Sequence, residues 1–315
     1  MLKSANAYWS LAVFLYTIVP EADIYTARIP KRVTRLRIRG CDYAVNEWGA
    51  ADAPMLFYLH GWGDCGSTIQ FVVDALKQHW HIVAPDWRGF GETQTAVSGY
   101  WFPDYLADLD RLLDIYSPAA PVRLIGHSMG GNVAGLYAGS LPSRVTAFVN
   151  LEGFGLRDSD PAEAPARYRD WLRASRTLAG FATYPDLAAL AAHIRRRNPR
   201  MTPDRALYAA ACWGREVEGE VRLRADPLHK LPNPVLYRRA ESEACWQRIT
   251  AESLLVAGED SEVRRLVSAG GLSLAAAVPI PGAETAVIEN SGHMLHFDAP
   301  AEVAARIEPF LARTL

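Results

Sequence analysis

Ser128 stands inside Val122-Arg-Leu-Ile-Gly-His-Ser-Met-Gly-Gly131, flanked by Gly126 and Gly130 two residues away on either side. The apolar run before it predicts a strand and the small-residue run after it a helix, which is the context a G-x-S-x-G elbow requires. So tight a turn leaves no room for side chains at the two glycines and lifts the serine hydroxyl clear of the strand ends. The helix that starts there aims the positive end of its dipole at the same spot, where an anion can develop. A serine hydroxyl is a weak nucleophile at neutral pH and needs a base, normally a histidine oriented by a carboxylate. His293, in Ile288-Glu-Asn-Ser-Gly-His-Met-Leu-His-Phe-Asp-Ala-Pro300, meets the need: it follows the last predicted strand on a glycine-containing loop. His296 is the nearest competitor, but its place at a helix start reads as packing or capping. Two backbone N–H groups must also converge on the developing oxyanion. Met129, directly after the serine, supplies one, and Trp62 of Leu59-His-Gly-Trp-Gly63 is the predicted second.

Such groups need rigid elements to hold them. Val33–Arg39 alternates apolar and basic residues, and Gly40 turns the chain into Tyr43–Trp48, which predicts a hairpin. Met55–Leu59 is apolar throughout, as in a strand buried on both faces. A helix over Phe71–Lys77 and a short strand His81–Ala84 follow. Leu106, Leu109, Leu112 and Leu113 share one face of a helix over Tyr105–Tyr116. Val122–Ile125, Val145–Leu151, Ser253–Ala257 and Thr285–Ile288 read as further strands, Val133–Leu141 and Ala301–Leu315 as helices. Strands alternating with helices imply a mostly parallel sheet covered on both faces. Between 156 and 249 the alternation breaks into helical texture, with Leu187, Leu190 and Ile194 on one face. About 90 residues is too long for a loop, so this stretch is expected to be one helical insertion.

The formal net charge is −2, from 33 basic and 35 acidic residues. That balance gives no global field for nucleic acid or an anionic membrane and points to a small-molecule partner. No run of 18 apolar residues appears, so no transmembrane span is expected. Cys41, Cys65, Cys212 and Cys245 lack metal-ligand spacing and read as free thiols, which fits a reducing compartment. Lys3 and the apolar stretch Ala7–Val19 resemble the start of a signal peptide, yet no A-x-A site follows. A cytoplasmic location is therefore expected, with a periplasmic or secreted one left open, as are an anchor or an upstream extension from a misplaced start.

Taken with Asp86-Trp-Arg-Gly-Phe-Gly91 and Ser291-Gly-His293, these motifs make the chain resemble the α/β-hydrolase family from residue 32 to the end. The resemblance implies an N-terminal extension (1–31), an α/β-hydrolase core (32–155 and 250–315) and a helical cap (156–249) that chooses the substrate. It also implies a serine where related epoxide hydrolases and dehalogenases carry aspartate. For the acid, it points to the G-x-x-D position after the strand that follows the cap. Here that segment is Gly258-Glu-Asp-Ser261, with Asp260 one residue early. Some relatives place the acid at the end of the strand before the cap, where this chain has Glu152. Asp260 and Glu152 both stay open. The resemblance implies hydrolysis of an ester or similar acyl compound with an apolar part, through an acyl-enzyme on Ser128, with neither metal nor organic cofactor. Carbon–carbon, amide or thioester hydrolysis and perhydrolysis use the same machinery, and a non-catalytic small-molecule binder is the alternative of another class.

Overall fold

A computed structural model describes residues 24–315. The signal-like stretch Ala7–Val19, and with it the choice among signal, anchor and misplaced start, lies outside the described residues. The fold begins with the expected hairpin: β1 (Arg32–Ile38) pairs antiparallel with β2 (Cys41–Trp48). Arg39 and Gly40 between them both take positive φ, 45° and 84°, the turn geometry that matches the twist of a two-residue hairpin. β3 (Met55–Leu59), α1 (Gln70–Ala75), β4 (His81–Pro85), α2 (Phe102–Tyr116), β5 (Val122–His127), α3 (Met129–Ser140) and β6 (Val145–Leu151) follow in alternation. α3 starts at Met129, four residues before the helix the sequence predicts, because it springs straight from the turn after β5.

The insertion after β6 carries α4 (Ala164–Ala174), β7 (Thr183–Tyr184), α5 (Leu187–Arg197), α6 (Pro203–Trp213), β8 (Gly214–Val217), β9 (Glu220–Leu223) and α7 (Arg239–Trp246). The expectation of helices alone misses the small antiparallel sheet β7-β9-β8. Its signal is the Glu218-Gly219 pair, both at positive φ (55° and 82°), which closes a two-residue hairpin between β8 and β9. α5 and α6 bury Leu190, Ile194, Leu207 and Ala210 in a core of their own, into which Phe71 and Phe297 reach from the main body.

The main sheet resumes with β10 (Glu252–Gly258), then α8 (Glu262–Ala269), α9 (Leu274–Ala277), β11 (Glu284–Ile288), α10 (Leu295–Asp298) and α11 (Pro300–Ala312). Its eight strands run in the order β1-β2-β4-β3-β5-β6-β10-β11, parallel from β4 to β11. The alternation within β3 explains why its run is apolar throughout. Phe57 and Leu59 pack with Leu109 and Leu112 of α2 and Val133 of α3, whereas Leu56 and Tyr58 pack with Val72 of α1 and Val303 and Ile307 of α11. Each such fully buried Leu, Ile or Val contributes roughly 1.5–3 kcal/mol, so the two layers hold the strand ends rigid. No helix among the described residues is long and apolar enough to cross a membrane.

Candidate active site

Ser128 sits between β5 and α3 with φ 51° and ψ −114°, a conformation an L-residue adopts only under constraint, at a cost of about 1–3 kcal/mol. Packing enforces it. A Cβ on Gly126 would lie 2.5 Å from the Gly130 carbonyl oxygen, and one on Gly130 would lie 2.0 Å from that of Leu59. The Ser128 N–H donates to the Leu151 carbonyl at 2.8 Å, tying the turn to the end of β6.

The loop before α10 brings His293 over the serine. Its Nε2 lies 3.0 Å from Ser128 Oγ, and its Nδ1 lies 3.1 Å from Glu152 Oε2. A proton on Nδ1, donated to that carboxylate, leaves the Nε2 lone pair facing the serine hydroxyl, which donates to it. This is the arrangement in which an imidazole can take a hydroxyl proton and return it.

Of the two carboxylates, it is Glu152 that the structure brings to His293. Glu152 leaves β6 with φ 63°, its side chain wholly enclosed. Oε1 accepts the Gly258 N–H at 2.7 Å, and Oε2 accepts the Ser261 hydroxyl at 2.5 Å. Asp260 points the other way. Its side chain is 40% exposed, ion-paired with Arg200 of the insertion and Arg265 of α8. In the Gly258–Ser261 turn Glu259 and Asp260 face outward and the inward place falls to Ser261, to which sequence reasoning gave no role.

The loop after β3 closes the other side. Gly61 abuts the serine so closely that a Cβ there would be 3.2 Å from Ser128 Cβ. His60 stiffens this loop, since its Nδ1 contacts the Gly61 carbonyl at 2.7 Å and its Nε2 accepts the Trp87 N–H at 2.8 Å. Among the described residues neither Trp62 N–H nor Met129 N–H donates to another protein group. For Met129 this follows from its place as the first residue of α3. The Trp62 ring is 53% exposed and meets Phe90 at 6.3 Å and Phe181 of the insertion at 6.4 Å.

Several polar residues nearby serve structure. Asp86 accepts the N–H groups of Gly66 and Glu92, at 2.8 Å each. Arg88 grips Asp108 of α2 with two 2.6 Å bonds. His229 of the insertion stacks between Phe90 and Tyr100, with ring centroids at 3.8 and 3.7 Å, and burial pushes its pKa down to about 4. His296 is fully buried against Asp64. His127, beside the serine, is also fully buried. Burial, helped by His296 and His293, pushes its pKa well below the ordinary value, so its neutral Nε2–H donates to the His293 carbonyl at 2.8 Å.

The comparisons with known proteins agree with this architecture. The sequence pattern of the α/β hydrolase fold matches residues 54–300, and the chain belongs to that family. A serine hydrolase-like protein of Danio rerio is 24% identical over 84% of this chain and 83% of its own length. A 2-(acetamidomethylene)succinate hydrolase of Mesorhizobium japonicum is 24% identical over 76% of this chain and 84% of its own length. Among solved structures, the thioesterase domain from the curacin biosynthetic pathway superposes with a TM-score of 0.78 at 23% identity, covering 89% of this chain and 99% of that one. Several of the relatives are named as hydrolases, esterases or thioesterases, and one, at 32% identity over 32% of this chain, as a magnesium-chelatase subunit of Rhodobacter capsulatus.

Proposed function

We propose that the chain is a serine hydrolase that cleaves an ester or similar acyl compound through an acyl-enzyme on Ser128. The observation that carries this reading is the chain of hydrogen bonds Ser128–His293–Glu152, at 3.0 and 3.1 Å. In the first half-reaction Ser128 Oγ attacks the acyl carbon and passes its proton to His293 Nε2. Glu152 orients the imidazole and stabilises the cation that forms. The N–H groups of Trp62 and Met129 receive the oxyanion, and the His293 proton leaves with the alcohol. In the second half-reaction water, deprotonated by the same imidazole, releases the acid and restores Ser128.

The residues between β6 and β10 act as a cap over this centre. Trp62, Phe90 and Phe181 present aromatic surface beside it, which favours a small-molecule substrate with an apolar part. The relatives named as hydrolases support hydrolysis as the reaction class and leave the acyl group to experiment. Ser128→Ala is expected to lower turnover of short-chain p-nitrophenyl esters by about 10⁶-fold and to abolish labelling by a fluorophosphonate probe. Undiminished labelling of that variant sinks the assignment. A panel of ester, thioester and amide substrates of graded chain length on the wild type identifies the acyl compound.

A further inference from the structure

We propose that Asp64, His127 and His296 form a binding site for one divalent transition-metal ion of the zinc class, behind the Ser128 centre. All three are buried, and each offers a ligand atom within 4.8 Å of the others. Asp64 Oδ2 and His296 Nε2 are 3.3 Å apart. That is long for a hydrogen bond assisted by charge, which closes to about 2.7–2.9 Å. It matches the ligand–ligand edge of a tetrahedron, about 3.3–3.4 Å for an ion held at 2.0–2.1 Å.

Buried polar atoms with no partner lie in the residues of this cluster and in Tyr58 beside it. Among the described residues His127 Nδ1, His296 Nδ1 and the Tyr58 hydroxyl are buried without a hydrogen bond, and the Tyr58 and His296 rings are 6.2 Å apart. His127 Nε2 is committed to the His293 carbonyl, which leaves Nδ1 as the ring nitrogen free to ligate.

The surroundings are those that orient metal ligands. Asp64 Oδ1 accepts the Thr68 hydroxyl at 2.7 Å and the Trp213 indole N–H at 2.8 Å, which leaves Oδ2 facing His296. A ligand histidine normally donates its other ring N–H to a carbonyl or carboxylate, as His127 does. Two imidazoles and a carboxylate suit zinc, cobalt or ferrous iron better than magnesium or calcium. The ligand atoms of a tetrahedral ion lie about 3.3–3.4 Å apart, so any pair in the cluster held wider than that closes on binding. That movement pulls on the His127 hydrogen bond to His293. Inhibition of turnover by the ion is the expected consequence; this consequence rests on the hydrolase reading, whereas binding itself does not.

The test is Co²⁺ and Zn²⁺ loading of the full chain. Because the ligands are enclosed, loading is done both by incubation and by refolding from urea. One equivalent retained after gel filtration is expected, with the intense visible bands of four-coordinate Co²⁺. His296→Gln and His127→Asn, checked for native circular dichroism, are expected to lose the bands. His293→Ala is expected to keep them although it lacks turnover. Absence of retained metal after refolding overturns the proposal and leaves a buried water as the occupant. Bands that persist in a folded His296→Gln protein, or vanish in His293→Ala, overturn it as well, since the ion then sits elsewhere.

Discussion

Two histidines three positions apart each face a buried carboxylate. His293 meets Glu152 at 3.1 Å from the loop before α10, its ring 39% exposed with Ser128 on its far side. His296 meets Asp64 at 3.3 Å from within α10, fully enclosed. Burial works to raise the Asp64 carboxyl, yet the hydrogen bond and charge of His296 outweigh it and hold the group below its ordinary value. A histidine facing a carboxylate thus yields two outcomes. A pair open on one side holds a strained serine at its tip. A pair closed on all sides joins the β3 loop to α10.

Breaking each pair should separate these roles. Glu152→Gln is expected to lower kcat by about 10⁴-fold with the fold intact, the cost of losing a carboxylate that orients an imidazole. Asp260→Asn, at an exposed ion pair, should change kcat less than about threefold. Steady-state kinetics on the two variants side by side decide the acid, and equal activity in both rules out Glu152. Asp64→Asn should act on stability instead. Removing one partner of a buried pair costs about 3–5 kcal/mol, read from urea denaturation.

His229 sharpens the contrast, because it has burial without a carboxylate. Asp226 next to it accepts from the Tyr100 hydroxyl instead, at 2.8 Å. A folded pKa of about 4 against an ordinary 6.5 means that the unfolded chain binds the extra proton first. Stability is therefore full above pH 6.5 and falls as the pH drops toward 4. Between pH 7 and 5 this group alone should cost about 2 kcal/mol, and His229→Phe should remove that part of the slope. Ser261→Ala, the smallest effect, deprives Glu152 Oε2 of one donor and α8 of its N-cap. About a tenfold fall in kcat is expected, with about 1 kcal/mol of stability lost.

Much of this was legible in the residues themselves. The alternation of strands and helices, the glycine-framed serine and the histidine after the last strand depend on short-range rules of sterics and periodicity. The small sheet of the insertion was not, because Glu218-Gly219 is a weak turn signal amid helical texture, and strands as short as β7 carry little pattern of their own. Arg200 likewise gave no sign of its pairing with Asp260, 60 positions away.

The choice of carboxylate marks the boundary. By itself the sequence determined that Ser128 must sit on a strained turn and that His293 follows the last strand, since both are fixed by neighbours within a few positions. Only the tertiary structure decided that Glu152 rather than Asp260 faces the imidazole. That outcome depends on β6 and β10 lying side by side and on which side chain of the Gly258–Ser261 turn points inward. Those are relations between segments about a hundred residues apart in the chain, where local spacing carries no information.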